Sequence, residues 1–501
     1  MTSRFRRTTT IATAASLLTL AMASTAQAAD PTPGASGTTP ATASASPSQT
    51  ATPRQPASKS PVAGTFQKTL DTMVAPAAKG GAPGELGAYV AAMGHFESPK
   101  GSWSGTAGVA NLSTKRQPAL TDQFRGASNL KPMVAVLALQ EVEAGRWKLD
   151  TTVESVLPGL LPGDYGKVTL KQLLSHTSGI PEYMAGYIPN ATDSKTILMV
   201  ASKKYQPEEL IKVARQLPWD TKPGEKHDYS NTNYVVAGMM VEKITGKKIS
   251  TLLKERIFPT SGGMRSSYYS EKPEISGNHL TDYGFYQKKR VDFTPDHPSF
   301  LSHAGALVTT LADLESFFHA LATGKLLKPE TVDLMTQPID EPGSYGMGLI
   351  RFTDRCAGKD GKEGVMIGHS GGTFGTSSFG MVSRDGTRRL SLVFTGRHHP
   401  EGPDTFKKFI WDAQRATCTG KALPNPAPAP GKPTKPANPS ATPTAPSATA
   451  SSPSATPSAT PGKPQPTTTP SGTPSTAPQL RSKDLSVLEI PDSLDNARRS
   501  R

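Results

Sequence analysis

Cysteine is nearly absent: Cys356 and Cys418 are the only two in 501 residues. So low a count excludes a disulfide-dense scaffold and a cysteine-rich metal cluster. No His or carboxylate cluster accompanies either cysteine, so neither a metal nor a cofactor is expected. Long hydrophobic runs are missing too. Beyond the first 23 residues no stretch reaches the ~18 apolar positions that a membrane-spanning helix needs. Dense Lys/Arg runs are also missing from the central part. The formal net charge is +14, but residues 1–64 carry +4 and residues 419–501 carry +5, which leaves +5 for the rest. A mildly basic body without a basic patch does not call for nucleic acid as a partner. Attraction to an anionic cell wall fits the charge. No Leu-Pro-x-Thr-Gly wall-sorting signal occurs near the end.

What is present starts with an export leader. Arg4, Arg6 and Arg7 form a positive n-region, residues 11–23 form a short apolar core, and Ala26-Gln27-Ala28 is an A-x-A cleavage site. A signal peptide over residues 1–28 and a secreted product follow as expectations, with Sec export favoured over the twin-arginine route. Residues 29–63 are rich in Pro, Ser, Thr and Ala, and the tail from 419 repeats that composition. Such segments bury too little apolar surface to offset their ordering entropy, so both are expected to be disordered. The folding part is residues 64–418, large enough for two lobes. In an exported chain, Cys356 and Cys418 are expected to pair as a disulfide that ties the end of the domain to its sheet. Nothing calls for an oligomer, and a monomer is expected.

Strand patterns flank helical ones. Tyr89 to Ala92 and Gly105 to Ala110 read as early strands, joined by a loop through Lys100 and Trp103. Helical periodicity follows from Ser128 to about Gly145, with Met133, Val134, Val136, Leu137 and Leu139 as its stripe. Helices are also predicted near Leu170, at Glu208 to Arg215, at Asn233 to Thr245 and at Thr310 to Gly324. Strand signals return from Tyr345 to Phe352, Val365 to His369, Ser377 to Val382 and Leu390 to Thr395, before a last helix to Ala416. This predicts an α/β (α+β) body: an antiparallel sheet flanked by helices, interrupted by a helical insert lobe.

Three short motifs carry chemistry. Ser128-Asn129-Leu130-Lys131 places a hydroxyl and an amine one helical turn apart, on one face. A serine hydroxyl needs such a base to become a nucleophile. Alone the pattern says little, because average composition gives about one or two such matches by chance in a chain this long. Tyr229-Ser230-Asn231 sits on a loop before an apolar helix, where Tyr can relay a proton and Asn can bond an amide. A plain loop into a helix cap is the competing reading. His369-Ser370-Gly371-Gly372 closes a strand, where glycine lets another backbone approach. A satisfied core histidine is the competing reading for His369.

Together with Leu173-Leu174-Ser175-His176-Thr177-Ser178-Gly179 and Tyr345-Gly346-Met347-Gly348-Leu349, these motifs resemble the penicillin-recognising serine hydrolases, in particular the class C β-lactamase and secreted D-alanyl-D-alanine carboxypeptidase branch. The resemblance spans almost all of residues 65–418. It implies that Ser128 is acylated, that Lys131 is its base and that Tyr229 shuttles protons. Asn231, His369, Ser370 and Gly371 would contact substrate, with His369 supporting the hydrogen-bond network of Tyr229. The backbone N–H groups of Ser128 and Gly372 would form the oxyanion hole. His176 reads as structural. Pro132, directly after Lys131, departs from the family pattern and is expected to re-aim the catalytic turn slightly. Ile350 and Gly372 stand where the carboxypeptidase branch has an Arg and a Thr that grip the substrate carboxylate, and Arg351 is one position late.

The function expected is a secreted D-alanyl-D-alanine carboxypeptidase acting on peptidoglycan stem peptides, with β-lactams as acylating ligands. An esterase or β-lactamase on the same scaffold is the first alternative. A non-catalytic wall- or penicillin-binding module is the second.

Overall fold

The computed structural model of the protein describes residues 61–74, 89–188, 194–286, 289–339, 345–357, 363–398 and 405–419. The expected leader, most of the first Pro/Ser/Thr-rich stretch and the tail beyond 419 lie outside these residues. Residues 61–63, expected as linker, are instead the start of a helix, Pro61–Val74. Proline suits a first helical position, which needs no N–H. Phe66, Leu70 and Met73 recur at helical spacing and are buried.

The core of the body is one six-stranded antiparallel sheet. Its strands lie in the order Gly101–Gly108, Ala91–Ser98, Arg389–Thr395, Thr376–Ser383, Glu363–Gly372 and Ile350–Ala357. The first and last parts of the body meet at its centre, where Ala91 pairs with Thr395 and Phe96 with Leu390. The helical lobe is therefore an insert between strands of one sheet, as the order of patterns predicts. Trp103 is not in a loop. It pairs with Phe96 across a hairpin whose turn falls between Ser98 and Gly101, and it is 3% exposed. Its ring lies 5.4 Å from that of Phe66, so burial against the first helix extends the strand past the point where the polar residues suggested a loop. The strand expected from Tyr345 starts at Ile350, and Tyr345 makes only an isolated bridge to it.

Helices cover both faces. On the outer face Pro61–Val74 and Thr405–Thr419 pack on Phe352, Met366, Phe379 and Leu392. On the inner face lies Leu311–Ala322, continuous with the core of the helical lobe. Cys356 and Cys418 are bonded, with Cα atoms 5.4 Å apart, and pin the Ile350–Ala357 edge strand to the Thr405–Thr419 helix. Closing a loop of 62 residues contributes about 4 kcal/mol in the loop-entropy account.

Within the lobe the helices Leu130–Glu143 and Asn231–Thr245 pack side by side. From Leu130 to Leu139 every residue of the first is buried, apolar and polar alike. A helix apolar all round belongs in a core. Any charged side chain on its first turn is therefore dry.

Candidate active site

Ser128 sits in a 3-10 turn, Ala127–Asn129, that leads directly into Leu130–Glu143. Gly126 hands its N–H to Leu307 O at 2.8 Å, and Asn129 Nδ2 donates to Gly126 O at 3.0 Å and to Ser378 Oγ at 2.9 Å. The turn is thus fastened to the sheet. Pro132 costs no hydrogen bond so early in a helix. Lys131 stays helical beside it and still reaches Ser128, so the re-aiming expected from Pro132 does not part the pair.

Lys131 Nζ lies 2.8 Å from Ser128 Oγ, 2.7 Å from Asn231 Oδ1 and 3.0 Å from Ala304 O. Its side chain is fully buried. Burial pulls its pKa down from the usual lysine range to about 7, against an opposing pull from Glu182. A neutral amine has two N–H bonds and one lone pair. The oxygens of Asn231 and Ala304 take the two N–H bonds, and the lone pair is left for the hydroxyl of Ser128.

Asn231 is the first residue of its helix, and both ends of its amide are engaged. Oδ1 accepts from Lys131, and Nδ2 donates to Glu182 Oε2 at 2.9 Å. This amide, expected to contact substrate, bridges Lys131 to a carboxylate. Glu182 also accepts the Asn231 N–H at 2.6 Å and the Met184 N–H at 3.0 Å. It is buried, and burial raises its pKa while the N–H donors and Lys131 lower it. Neither Glu182 nor Ala304 was singled out from the sequence. Glu182 follows Pro181 and caps the short helix Tyr183–Tyr187, a place where an acid ordinarily faces solvent.

Tyr229 is half-buried, and its ring centroid lies 5.0 Å from Lys131 Nζ and 4.2 Å from the ring of His176. His176 Nδ1 accepts from Ser230 N at 3.2 Å and pairs with Asn233 Nδ2 at 3.1 Å. It is fully buried and held neutral, chiefly by desolvation. Its work is to hold the Tyr229-Ser230-Asn231 loop, in line with a structural reading.

The strand side differs from expectation. His369 is 1% exposed, with Nε2 3.0 Å from Tyr345 Oη and Nδ1 against Ser370 O. A carbonyl only accepts, so the proton sits on Nδ1 and Nε2 accepts from the tyrosine. Burial, with Lys131 as a lesser cause, pulls its pKa down to about 3. The ring is held by Tyr345 and by the Ser370 carbonyl, the arrangement of a satisfied core histidine, which was the competing reading. Ser370 is buried, and its cross-strand neighbour is Phe379, a residue of the outer core. Strand alternation puts it on the face opposite His369 and Gly371. Gly371 lies directly on the nucleophile turn: a Cβ there would stand 2.0 Å from Gly126 O and 2.6 Å from Asn129 Nδ2. Gly372 pairs with Ser377 at the end of the same strand.

Among the described residues four non-glycine positions have positive φ: Lys115, Ala127, His176 and Ser302. Three of them adjoin this centre. Ala127 (φ 47°) precedes Ser128, His176 (φ 56°) holds the Tyr229 loop, and Ser302 (φ 47°) lies two residues before Ala304. Backbone strain of about 1–3 kcal/mol each gathers where geometry is imposed by the surrounding structure.

Two triads of ligand-type side chains occur among the described residues, Asp354/Cys356/Cys418 and His95/Glu97/Glu315. The sulfurs of the first are joined to each other. In the second, His95 pairs with Glu315 at 2.7 Å and Glu97 with Arg389 at 2.9 Å. Asp354 in turn pairs with Arg388.

A sheet interrupted by a helical lobe, with a serine and a buried lysine one turn apart, defines a penicillin-recognising serine hydrolase. The family described as Beta-lactamase matches residues 66–414, and the chain belongs to it. It is 25% identical over 302 residues to Penicillin-binding protein 4* of Bacillus subtilis (strain 168), which covers 57% of this chain. The matched region spans 63% of that relative's length. Among solved structures, a D-stereospecific amidohydrolase from Streptomyces sp. superposes with a TM-score of 0.60 at 28% identity, covering 72% of this chain and 99% of that one. A D-amino acid amidase from Ochrobactrum anthropi SV3 shares the fold, with a TM-score of 0.58 at 20% identity over 72% of this chain and 99% of that one.

Proposed function

We propose that the protein hydrolyses a peptide-type carbonyl through an acyl-enzyme on Ser128, with D-alanyl-D-alanine stem peptides of peptidoglycan as substrate. One observation carries the reading: a buried lysine amine 2.8 Å from Ser128 Oγ, with its other two acceptors already in place. Neutral Lys131 takes the Ser128 proton as Oγ bonds to the carbonyl carbon. The carbonyl π pair moves to oxygen and is met by the N–H groups of Ser128 and Gly372. One such donor is worth about 3 kcal/mol to the barrier. The tetrahedral adduct collapses, and the C–N bond breaks as the amine receives the proton from Lys131 by way of Tyr229. Water then reverses the sequence and frees Ser128.

A second reading, an amidase or esterase, is favoured by Ile350. In the carboxypeptidase branch that position holds an Arg for the substrate carboxylate. Here the Ile350 side chain packs on the outer core, and alternation turns Arg351 to the other face, beside Ile367 of the inner core. A substrate without a free carboxylate needs no such grip. The Streptomyces neighbour, named as a D-stereospecific amidohydrolase, is consistent with D-amides. Export through residues 1–28 and a folded unit between two Pro/Ser/Thr-rich segments belong to the same proposal.

The test is a panel of a D-Ala-D-Ala peptide, a D-amino acid amide, nitrocefin and a short-chain aryl ester, with Ser128→Ala as control. Peptide turnover that falls by about 10⁴-fold or more in the variant supports the first reading. Turnover of the amide or ester alone supports the second. Equal rates in variant and wild type overturn both.

A further inference from the structure

Among the described residues, Glu182 is an acidic group tied through Asn231 to the Ser128–Lys131 pair. We propose that Glu182 is a positioning residue: through Asn231 it sets both the aim of the Lys131 amine and the charge that surrounds it. The inference rests on the acyl-enzyme reading above and deepens it.

The chain of contacts is short and buried throughout. Glu182 Oε2 accepts two bonds from Asn231, one from the backbone N–H at 2.6 Å and one from Nδ2 at 2.9 Å. That pair of bonds fixes which end of the amide faces Lys131. With Nδ2 committed to the carboxylate, Oδ1 must point at Nζ, and it does, at 2.7 Å. An amide turned the other way would present N–H bonds to an amine that also has N–H bonds to give. Glu182 is thus the element that makes Asn231 an acceptor for lysine.

The charge argument is separate. Three N–H donors converge on Glu182: two from Asn231 and the Met184 N–H on Oε1. Donor-only surroundings of this kind suit an ionised carboxylate, which can only accept. A buried anion one residue away offsets part of the cost of an ammonium at Lys131, and Glu182 is the opposing influence on that amine. Desolvation alone would drive the lysine further down. Glu182 holds it where the amine can both take the proton of Ser128 and later give it back. Among the described residues, Tyr229, Tyr234, His176 and His369 also face Nζ. The two histidines are held neutral, which leaves Glu182 as the anion of this neighbourhood.

The test reads the pH dependence of Ser128 acylation, followed as the burst of p-nitrophenol from p-nitrophenyl acetate and as labelling by a fluorescent penicillin, from pH 5 to 10. In wild type the rate rises as Lys131 loses its proton, with a limb near pH 7. Glu182→Gln removes the anion, disfavours the ammonium and moves that limb to lower pH by about one unit. Glu182→Asp keeps the charge and can still cap the helix, but draws the carboxylate back by one methylene. Its limb stays within a few tenths of a unit of wild type, while the acylation rate falls by about tenfold. A limb for Glu182→Gln that matches wild type overturns the proposal. Should that variant not fold, wild-type rate and limb in Glu182→Asp overturn it equally. Wild-type protein whose Ser128 is not acylated by either probe at any pH marks a different failure, that of the acyl-enzyme reading itself, and the positioning role falls with it.

Discussion

The two walls of the site solve one problem in different ways. The helical wall, Ser128 to Lys131 with Tyr229 to Asn231, holds its chemistry in side chains: one hydroxyl, one amine, one amide, one phenol. The strand wall, His369 to Gly372, holds its own in backbone and in fit. His369 is spent on Tyr345, Ser370 faces the other way, and Gly371 has no side chain because none fits. A nucleophile needs proton traffic, which only side chains provide. In the proposed reaction an oxyanion needs donors that do not move, and His369 to Gly372 is fixed by its pairing with the Thr376–Ser383 strand. The division predicts that substitutions on the helical wall change the chemistry, and that substitutions on the strand wall change geometry or stability.

The largest effect belongs to Lys131. Lys131→Met should lower Ser128 acylation by about 10³-fold or more, measured with the same ester burst. Its pH signature in stability is opposite to that of most surface lysines. The folded-state pKa, about 7, lies below the unfolded value near 10.5. Below pH 7 both states are charged and the fold bears the full cost of a buried ammonium. Between 7 and 10.5 the unfolded chain binds more protons, so wild-type stability rises with pH. Thermal melts of the two proteins should therefore draw together in favour of wild type from pH 6 to pH 10. A difference in Tm that stays constant over this range would show that the amine is not buried in neutral form.

Next comes Gly371→Ala. A Cβ 2.0 Å from Gly126 O cannot be absorbed by a flexible tip, because the obstacle is backbone. The strand must shift from the nucleophile turn, and Gly372 shifts with it. Displacement of this order costs about 10²-fold in rate. The comparison sharpens if kcat falls while the acidic limb of the pH profile stays near pH 7, since proton traffic belongs to the other wall. It breaks if the limb moves.

How much of this was legible depends on where each contribution is written. Ser128 and Lys131 are three residues apart on a helix whose apolar run is plain, so their meeting follows from helical geometry. Tyr229 and Asn231 could be placed beside them only through the family resemblance, because a loop has no period to read. Ala304 was not legible. It contributes a carbonyl from a segment 173 residues away from Lys131, and a backbone oxygen has no letter in the sequence. Glu182 was missed for a related reason: an acid at a helix start has an ordinary explanation, and only its burial revokes it. His369 is the opposite case, a residue that the sequence placed at an open edge and the structure buries. The glycines after it suggested an open strand edge, whereas Tyr345 stands against the ring and is itself backed by His176 and His227. His176 and His227 come from sequence-distant segments, and their packing on Tyr345 is a tertiary fact. The two-residue strands Phe124–Arg125 and Tyr268–Tyr269, which pair with Leu307–Thr309, are likewise too short to carry an alternation.

The smallest effect on the chemistry is expected at His369, and for that reason it tests the comparison best. His369→Gln leaves an acceptor for Tyr345 and removes a titratable ring. If the strand wall works by fit, acylation at pH 8 should stay within about tenfold of wild type, with a stability loss of about 1–3 kcal/mol for disturbed buried hydrogen bonds. The acid side of the stability curve carries the sign. The folded-state pKa of His369 is about 3, below the usual 6.5. As pH falls through 6.5 the unfolded chain takes up a proton that the fold refuses, so stability is lost from 6.5 down to about 3. Removing the ring removes that loss, and the variant should melt less steeply with acid than wild type over this window, although it starts lower. His303, pulled down to about 4 by burial, keeps part of the slope in both proteins. An acylation loss near that of Lys131→Met, in a variant that still melts cooperatively, would mean that the imidazole takes part in proton transfer. The strand wall would then have to be counted with the helical one.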